Sequence, residues 1–319
     1  MSNIKVSSII VTRGLGDYLK RCLDSIRRQR YGNFEIIVID NSINPIFSQQ
    51  VACDYPEIKP YTCRDNLFYC QALNKGIKES RGEFVLCLND DVVLDEMFME
   101  EALKGFDTDK SVGMVSGKIL RKDGRVIDST GLYLSIWMSA GERGYGRKDR
   151  GQFEQAGYIF GVNGAVAFYR KAMLDEIKID TEYFDHDFHI FYEDLDVAWR
   201  AQRLGWKGYY MPKAVAYHLR GGTVREVQGI NKGFARRYLG NELHFDLVKN
   251  RYLTIIKNIA FWELALRLPF IMIYDFFVWL HIFLSGPALV KTIFLSPIPI
   301  TSAFRKRKLF SNKRLTGRR

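Results

Sequence analysis

The sequence predicts an α/β protein in which a mixed, mostly parallel sheet is flanked by helices and followed by a helical C-terminal extension. One observation is an N-terminal alternation of short apolar runs with amphipathic segments, which is typical of βαβ units. Another is a change near residue 232, beyond which the apolar segments are long and helix-like. The chain has 319 residues, 47% of them hydrophobic and 26% charged, which is an ordinary composition for a globular protein with a substantial core.

Strands and helices alternate through the first third of the chain. Residues 6–11, 35–39 and 83–88 are apolar runs that predict strands, because they are too short for most helices. Residues 17–30 predict a helix, since apolar side chains recur on one face, and residues 68–79 predict another. This order of elements favours right-handed crossovers and parallel strand pairing.

The middle of the chain is less regular. Residues 97–106 predict a helix, residues 113–131 predict extended segments and residues 141–157 predict a mobile loop. Residues 158–169 predict an apolar strand and residues 191–204 a helix. Two short strands, 207–211 and 214–218, are predicted on either side of Pro212. The loop at 141–157 is rich in glycine, arginine and lysine, and we expect it to lie over a site.

The C-terminal extension is apolar and then strongly basic. Residues 262–284 are dense in aromatic and aliphatic side chains but include Glu263, Arg267, Asp275 and His281, which a transmembrane span would rarely carry. Eight basic residues and no acid follow between positions 305 and 319. Apolar helices beside a polybasic segment predict helices that lie in an anionic membrane interface. The alternative is that the helices pack on the rest of the protein and the tail is disordered.

Charge and cysteine usage narrow the class of protein. The net charge of +11 is compatible with nucleic acid, anionic lipid or a phosphorylated substrate. The basic residues lie beside apolar helices rather than among stacking aromatics, so we expect no nucleic-acid binding. Five cysteines without a CxxC pair predict reduced thiols in a cytosolic protein and no zinc site. The first apolar run is too short for a secretory signal.

Acidic residues follow several of the predicted strands. Asp40 ends one apolar run, and Asp90 and Asp91 follow Asn89 at the end of another. Glu193 and Asp194, with Asp196, follow Phe191-Tyr192 at the start of a predicted helix. Carboxylates at such strand ends lie where α/β sheets bind their ligands. Adjacent acids repel unless a cation lies beside them, and Mg²⁺ or Mn²⁺ carrying a diphosphate fits this requirement. The alternative for 89–91 is a solvated turn before the next helix.

Four segments, in this order, resemble the motifs of the family 2 inverting glycosyltransferases. They are residues 8–12 with 18–26, residues 35–42, Leu88-Asn89-Asp90-Asp91, and residues 191–200 around Glu193-Asp194-Leu195-Asp196. The resemblance covers about residues 5–220 and implies a GT-A-like fold of Rossmann type. The subgroup that it resembles is the bacterial rhamnosyltransferase-like enzymes of surface polysaccharide synthesis, such as those that build the O-antigen of lipopolysaccharide.

The resemblance implies a role for each site residue. Asp194 is the general base, with Glu193 beside it. Asp91 binds Mn²⁺ or Mg²⁺, and His218 is its second protein ligand or a structural histidine. The nucleotide sugar is bound by Thr12, Asp40, Asn66 and Asp90. Asp40 accepts a hydrogen bond from N3–H of uracil or thymine. Asp90 contacts the ribose or orients the water molecules bound to the metal. Asp40 as a helix N-cap remains an alternative, and we expect Asp196 to pair structurally with Arg200 across one helical turn.

Departures from the family pattern concern the donor pocket. Asn89 stands where many relatives have aspartate, and Phe68 and Tyr69 replace small residues. The implied domains are a catalytic unit over 1–230, with a nucleotide-sugar half to about 115 and an acceptor half beyond it, a helical membrane-associating region over 231–300 and a basic tail over 301–319.

The implied function is transfer of a hexose, with dTDP-L-rhamnose as a candidate, from a dTDP- or UDP-sugar to a glycan or lipid-linked acceptor. The protein is expected at the cytoplasmic face of the bacterial inner membrane as a peripheral protein. The alternatives are a nucleotidyltransferase, disfavoured because no phosphate loop is evident near the N-terminus, a non-catalytic basic protein that binds nucleic acid or membranes, and an inactive relative.

Overall fold

A computed structural model describes residues 4–44, 46–219, 240–285 and 287–316 of the chain. The strands are β1 Val6–Thr12, β2 Phe34–Asp40, β3 Lys59–Thr62, β4 Phe84–Asn89, β5 Val92–Leu94, β6 Val112–Arg121, β7 Ile127–Ser129, β8 Leu132–Leu134, β9 Ala140–Glu142, β10 Gly157–Ile159, β11 Val166–Arg170 and β12 Lys207–His218. The helices are α1 Asp17–Arg27, α2 Phe47–Asp54, α3 Phe68–Glu79, α4 Phe98–Asp107, α5 Lys171–Ile177, α6 Glu193–Arg203, α7 Asn241–Asn258, α8 Phe261–Ser285, α9 Pro287–Leu295 and α10 Ile300–Thr316.

One sheet organises the described catalytic region. Its order is β10-β12-β6-β11-β4-β1-β2-β3, with β5 beside β12 and β7 beside β6, and β8 and β9 form a separate hairpin. The strands β4-β1-β2-β3 pair in parallel, whereas β11 runs antiparallel to both β4 and β6. The expected mixed α/β sheet flanked by helices is confirmed. The boundary expected near residue 115 falls inside β6, so the two halves share one sheet.

Alternation along the central strands builds a core on each face of the sheet. Ile10 and Leu86 point into a cluster covered by α1 and α4, whereas Ile9 and Val85 point into a cluster covered by α3, α5 and α6. Side chains of a strand alternate between faces, so near-continuous apolar runs are required where both faces are buried. Residues 68–79, expected to be helical, form α3 with those bounds.

Two expectations about the middle of the chain need correction. The two short strands around Pro212 are one strand, β12, because a register shift between Met211 and Val215 accommodates the proline. The segment 141–157 is held to the sheet by ion pairs, although none of its residues is buried. Lys118 on β6 is buried against Asp149, at 3.0 Å, and against Glu154. These partners lie far from Lys118 in sequence, so local composition could not indicate the ion pairs.

The C-terminal helices pack on the catalytic domain through buried charges. Lys306 of α10 is 2% exposed and pairs with Asp185, with Asp187 at 3.0 Å and with Glu182 at 2.9 Å. Arg307 donates to the carbonyls of α7 near its C-terminus. The expected basic tail is therefore a docked helix up to residue 316, and the domain boundary expected at residue 230 lies outside the described residues.

Lys257 of α7 is the cation on which we expect the domain interface to depend. It is 2% exposed and pairs with Asp185 and, at 2.9 Å, with Asp196. Lys257→Met is expected to lower the free energy of unfolding by about 3 kcal/mol, because it leaves buried carboxylates short of a cation. Chemical denaturation measures this, with exposed Lys213→Met as the control. A change below about 0.5 kcal/mol, the range of ordinary surface substitutions, would contradict the prediction.

Candidate active site

The carboxyl ends of the parallel strands bring the N-terminal site residues together. Thr12 at the end of β1 pairs in register with Asp40 at the end of β2, and Val11 pairs with Asn89 at the end of β4. Parallel strands finish at one edge of the sheet, so their terminal side chains line one crevice. Four of the expected site residues, Thr12, Asp40, Asp90 and Asp91, therefore lie at or beside this edge.

Asp40 is fully buried and only half satisfied. Its Oδ1 accepts the backbone N–H of Ser42 at 2.8 Å, whereas Oδ2 has no hydrogen-bond partner among the described residues. The next helix begins at Phe47 with Ile46 as its N-cap, so the N-cap alternative for Asp40 is wrong. A buried acceptor without a donor is energetically unfavourable, and an N–H of a bound base would satisfy it.

Asn66 belongs to a hydrogen-bonded corner next to Asp40. Its Oδ1 accepts from Asn41 Nδ2 at 2.9 Å and from the backbone N–H of Phe68 at 3.0 Å, and Asn41 Oδ1 accepts from the N–H of Leu67 at 2.8 Å. This corner supports the left-handed backbone of Phe68, with φ of 52°, at the start of α3. The nucleotide contact expected of Asn66 stays a prediction.

Thr12 and Asp90 contact each other across the crevice. The Thr12 hydroxyl donates to Asp90 Oδ2 at 2.7 Å. Burial raises the pKa of Asp90 above its ordinary value, the Thr12 hydrogen bond opposes this, and the neighbouring Asp91 raises it further. Adjacent carboxylates in this setting favour a cation nearby.

Asp91 faces His218 at the end of β12. The antiparallel pairing of β5 with β12 places His218 Nε2 3.3 Å from Asp91 Oδ1, and both residues are buried, each 7% exposed. On the other side of the ring, Nδ1 lies 2.8 Å from Oδ2 of the fully buried Asp128. Burial disfavours the charged imidazole, but the hydrogen bonds to Asp128 and Asp91 outweigh it and raise the pKa of His218 to about 9.

This pair fits a divalent cation in its donor chemistry. Carboxylate oxygen and imidazole nitrogen are both ligands of Mn²⁺, and a metal-binding histidine commonly has its second nitrogen held by a carboxylate, as Asp128 holds His218 here. No group of three histidine, cysteine, aspartate or glutamate side chains in the described ranges could hold a metal by itself. Phosphate oxygens and waters therefore have to supply the remaining ligands. Asp128 was not expected from the sequence, because only Val126 and Ile127 before it are apolar and Ser129 and Thr130 follow it.

Asp194 and Glu193 begin α6 in two different environments. Asp194 is half-buried and accepts the backbone N–H of Gly164 at 2.9 Å and that of Leu195 at 2.7 Å. Glu193 is 7% exposed, and its Oε2 has no hydrogen-bond partner among the described residues. Burial raises both pKa values, and the charge of Asp194 raises that of Glu193 further, whereas the two N–H donors oppose the rise for Asp194. Hydrogen bonds from two backbone N–H groups therefore stabilise the charged form of Asp194.

Tyr69 connects Asn89 at the end of β4 with the backbone that binds Asp194. Its hydroxyl donates to Asn89 Oδ1 at 2.9 Å and lies 3.3 Å from the carbonyl oxygen of Gly164, whose N–H binds Asp194. The two departures from the family pattern, Tyr69 and Asn89, therefore contact each other. Gly164 has little space beside it, because an added Cβ would lie 3.2 Å from Glu193 Oε1 and 3.4 Å from Asp194 Oδ2.

Glu142 is a site residue that sequence reasoning missed. It ends β9, and its Oε1 accepts from Asn163 Nδ2 at 2.6 Å while Oε2 accepts from the Ser129 hydroxyl. Burial, with the negative charge of Asp194, raises the pKa of Glu142 to about 8. Glu142 and Asn163 come from the two stretches, 141–157 and 161–167, that we expect to select the acceptor. The hairpin that carries Glu142 had no distinct periodicity.

Comparison with known proteins decides the family. The sequence profile of the family described as Glycosyl transferase family 2 matches residues 7–178, more than half of the 319 residues. The chain belongs to glycosyl transferase family 2. It is therefore a glycosyltransferase, and the alternatives of a nucleotidyltransferase or a non-catalytic basic protein are set aside.

Curated relatives of this glycosyltransferase make a bacterial polysaccharide. The chain is 24% identical over 208 residues to the poly-beta-1,6-N-acetyl-D-glucosamine synthase of Staphylococcus aureus strain MSSA476, covering 64% of this chain and 47% of the relative. It is 25% identical over 222 residues to the synthase of Staphylococcus epidermidis, covering 67% and 50%. The glycosyltransferase thus spans about half the length of the curated relatives that it matches.

Solved structures agree with the fold. S. aureus TarS 1-349 in complex with UDP-GlcNAc superimposes with a TM-score of 0.56 at 18% identity, covering 80% of this chain and 68% of TarS. GalNAc-T7 with UDP, GalNAc and Mn²⁺ superimposes with a TM-score of 0.58 at 12% identity, covering 79% and 48%. At these identities the likeness shows a GT-A-type fold, and the rhamnosyltransferase subgroup stays a prediction.

The remaining acidic residue of the motif is structural in this glycosyltransferase. Asp196 is fully buried, and its Oδ2 accepts from Arg200 Nε at 3.0 Å, as the spacing predicts. Arg200 also donates to the carbonyls of Ile177 and Tyr183. The carboxylate of Asp196 therefore holds α6 in place through buried contacts and does not take part in the crevice.

Proposed function

We propose that this glycosyltransferase is a metal-dependent inverting enzyme that moves a sugar from a nucleoside diphosphate donor to a glycan hydroxyl. The observation that supports it most is that three kinds of group lie around one edge of the sheet. They are the unsatisfied carboxylate oxygen of Asp40, the pair of Asp91 with His218, and the half-buried carboxylate of Asp194, which accepts two backbone N–H groups. Each suits a different part of the reaction: the base of the nucleotide, its diphosphate and the acceptor.

Asp194 performs the proton transfer. The acceptor hydroxyl attacks the anomeric carbon from the face opposite the diphosphate, and its proton passes to the Asp194 carboxylate. The bond between the acceptor oxygen and the anomeric carbon forms while the bond to the diphosphate oxygen breaks, which inverts the configuration. Glu142 and Asn163 lie beside Asp194 and orient the acceptor.

Asp91 and His218 would hold the cation, and Asp128, which contacts His218 Nδ1 at 2.8 Å, would fix the ring for that purpose. A bound Mn²⁺ or Mg²⁺ supplies Lewis-acid stabilisation of the negative charge on the departing nucleoside diphosphate. Thr12 orients Asp90 toward the same space. Asp40 accepts the N3–H of a uracil or thymine base.

The donor sugar is proposed from the named relatives of the chain and from the ligand of a similar solved structure. The named relatives make poly-N-acetylglucosamine, and TarS was captured with UDP-GlcNAc. A UDP-N-acetylhexosamine is therefore the first donor to test, ahead of the dTDP-L-rhamnose expected from the sequence. The acceptor is proposed to be a growing or lipid-linked glycan.

Donor recognition is tested by Asp40→Asn. The Oδ1 of the introduced amide has to accept from Ser42, which turns its NH₂ toward the N3–H of the base and sets donor against donor. We expect the Kd for UDP to rise at least about tenfold, which corresponds to about 1.4 kcal/mol. Calorimetric titration of UDP and UDP-sugars with Mn²⁺ measures this, with exposed Asp65→Asn as the matched control. Unchanged affinity for UDP would contradict the role of Asp40.

Turnover tests the reaction itself. The enzyme is incubated with UDP-GlcNAc, UDP-GalNAc or dTDP-L-rhamnose and with glycan acceptors, and the products are separated. Release of a nucleoside diphosphate together with an inverted glycosidic linkage is the expected result. Retention of configuration, or release of inorganic diphosphate, would overturn the proposal.

We also propose that α8 and α9 associate with a membrane. Among the described residues, one helix is long and apolar enough to cross a membrane, Phe261–Leu284, and only 11% of its apolar window is buried. Its acid Asp275 is paired at 2.5 Å with Arg251 of α7, so this charge is satisfied within the protein. Exposed Phe276 and Phe277, at 64% and 62%, stand on the free face. Such a surface is large for a monomer in water.

Flotation with vesicles tests this. Vesicles containing anionic lipid are expected to carry the protein to the top of a density gradient, and Phe276→Glu with Phe277→Glu to abolish flotation while sugar transfer to a soluble acceptor persists. Matched substitution of exposed Tyr158, on β10, serves as the control. Wild-type protein that remains at the bottom would exclude the membrane role, including the proposed place at the cytoplasmic membrane face.

A further inference from the structure

The segment that presents the base has an unfavourable backbone conformation. Phe191 and Tyr192 are consecutive residues with φ of 72° and 67°. The left-handed region disfavours residues that carry a Cβ, because the Cβ approaches the following carbonyl oxygen too closely. Tyr192 is also the N-cap of α6 and provides no side-chain cap. Such a turn persists only where surrounding contacts hold it.

Asn250 of α7 supplies these contacts. Its side chain is fully buried, and Nδ2 donates to the carbonyl oxygen of Ile190 at 2.8 Å and to that of Phe191 at 2.9 Å. Only the amide nitrogen can donate to two carbonyls, so the orientation of the amide is determined by its surroundings. Both N–H bonds of Asn250 Nδ2 therefore donate to carbonyl oxygens of the strained turn.

Helix α7 also holds the body of α6. Asn258 Nδ2 donates to Asp196 Oδ1 at 2.8 Å, and Lys257 Nζ lies 2.9 Å from the same oxygen. The base Asp194 lies between Asp196 and the turn at 191–192. Both α6 and α7 lie beyond residues 7–178, the part of the chain that matches the family profile. The C-terminal extension therefore contacts the base helix at its start and along its side.

We propose that Asn250 is a positioning residue for the general base. By holding the left-handed turn at Phe191 and Tyr192, it keeps Asp194 against the N–H of Gly164, in the geometry needed to accept a proton from the acceptor. The C-terminal helical extension is then part of the catalytic apparatus as well as a region for membrane contact. This inference rests on the proposed role of Asp194.

The test compares Asn250→Ala with a matched variant of the same helix. Tyr252→Phe removes a half-buried hydrogen bond, donated by Trp279 Nε1 to the hydroxyl at 3.0 Å, but leaves the turn alone. Asn250→Ala is expected to lower kcat about 10- to 100-fold, because a misplaced catalytic group loses much of its effect. The Kd for UDP and the KM for the donor should stay within about twofold. Tyr252→Phe is expected to keep the wild-type kcat.

A second variant separates positioning from general loosening. Glycine adopts positive φ without the Cβ penalty, so Phe191→Gly should reduce the dependence of the turn on Asn250. In the Phe191→Gly background, Asn250→Ala is expected to lower kcat by less than it does in the wild type, a non-additivity that a double-mutant cycle measures. All rates are compared well below each variant's Tm.

The outcomes distinguish this inference from the proposed function. If the wild type transfers sugar and Asp194→Asn does not, while Asn250→Ala is as fast as wild type, only the positioning role is overturned. Equal losses of kcat in Asn250→Ala and Tyr252→Phe, or additive effects in the Phe191→Gly background, overturn it as well. A wild-type enzyme without transfer to any acceptor overturns the proposed function instead.

Discussion

Asp194→Asn is expected to lower kcat for sugar transfer by about 10²- to 10⁴-fold, the range that general-base catalysis contributes. The substituted amide cannot take up the proton of the acceptor hydroxyl. One of the two backbone N–H groups, of Gly164 or Leu195, also loses its acceptor, because an amide has only one oxygen. Affinity for UDP should be retained, since Asp40 and Asp91 are untouched.

Steady-state transfer together with calorimetric titration of UDP measures these two quantities. Asp180→Asn is a suitable control, because it removes an exposed carboxylate whose partner, Arg305 at 3.2 Å, lies on α10. Transfer by Asp194→Asn at the wild-type rate would make the base assignment wrong. Parallel loss of UDP affinity and of transfer would point to a general disturbance of the crevice.

The pH dependence of kcat follows from the same carboxylate. Burial raises the pKa of Asp194 above its ordinary value, although N–H donors oppose the rise. The base must be ionised to act, so kcat should fall as pH falls through this raised pKa, beginning at a higher pH than an ordinary aspartate with a pKa of about 3.9 would give. A pH–rate profile of wild type checks it. An acid limb below about pH 4 would contradict the prediction.

Removal of the divalent cation is expected to have a comparably large effect. Enzyme treated with EDTA should keep less than about 1% of its transfer activity and recover it when Mn²⁺ or Mg²⁺ is restored, because Lewis-acid stabilisation of the charge that develops on the diphosphate is lost. Asp91→Asn should require at least about tenfold more Mn²⁺ for half-maximal activity, since it loses the anionic ligand.

Asp128→Asn extends this test to the residue behind the ligand. It contacts His218 Nδ1 at 2.8 Å, and loss of such a partner typically weakens metal binding about 10- to 100-fold. His186→Gln is the matched control, because His186 Nδ1 also faces a carboxylate, Glu182 at 3.5 Å, but lies away from the crevice. Full activity after EDTA treatment would exclude a required metal.

Site residues that follow apolar strands were accessible from the sequence. Asp194 was accessible through the segment at residues 191–200 that resembles a family motif, since a left-handed turn and no strand directly precedes it. Asp40 and Asp91 lie at or just beyond the ends of short apolar strands, and parallel strands place such positions at one sheet edge. This reasoning is local: it requires only the order of elements and the residue after each strand. The i,i+4 pair of Asp196 with Arg200 was accessible for the same reason.

Residues whose partners are distant in sequence were not accessible. Glu142 acquires its role from Asn163 and from the charge of Asp194, and Asp128 from a histidine 90 positions away. Lys257 and Lys306 belong to a residue type that is normally solvated, yet each is about 2% exposed beside acids 72 and 121 positions earlier. Composition alone therefore made the last segment a tail, where the structure has a docked helix.

The amino-acid order was enough to predict an α/β fold and the acids at the strand ends, because hydrophobic periodicity and strand termini are short-range properties. The family was indicated separately, by the resemblance of four motifs in order. The folded chain was needed to find Glu142 and Asn250, to exclude the cap role of Asp40 and to show that two backbone N–H groups bind Asp194. Those distinctions depend on which buried groups receive hydrogen bonds. That depends on side chains brought together by packing across the whole sheet and the C-terminal helices, and no local pattern encodes it.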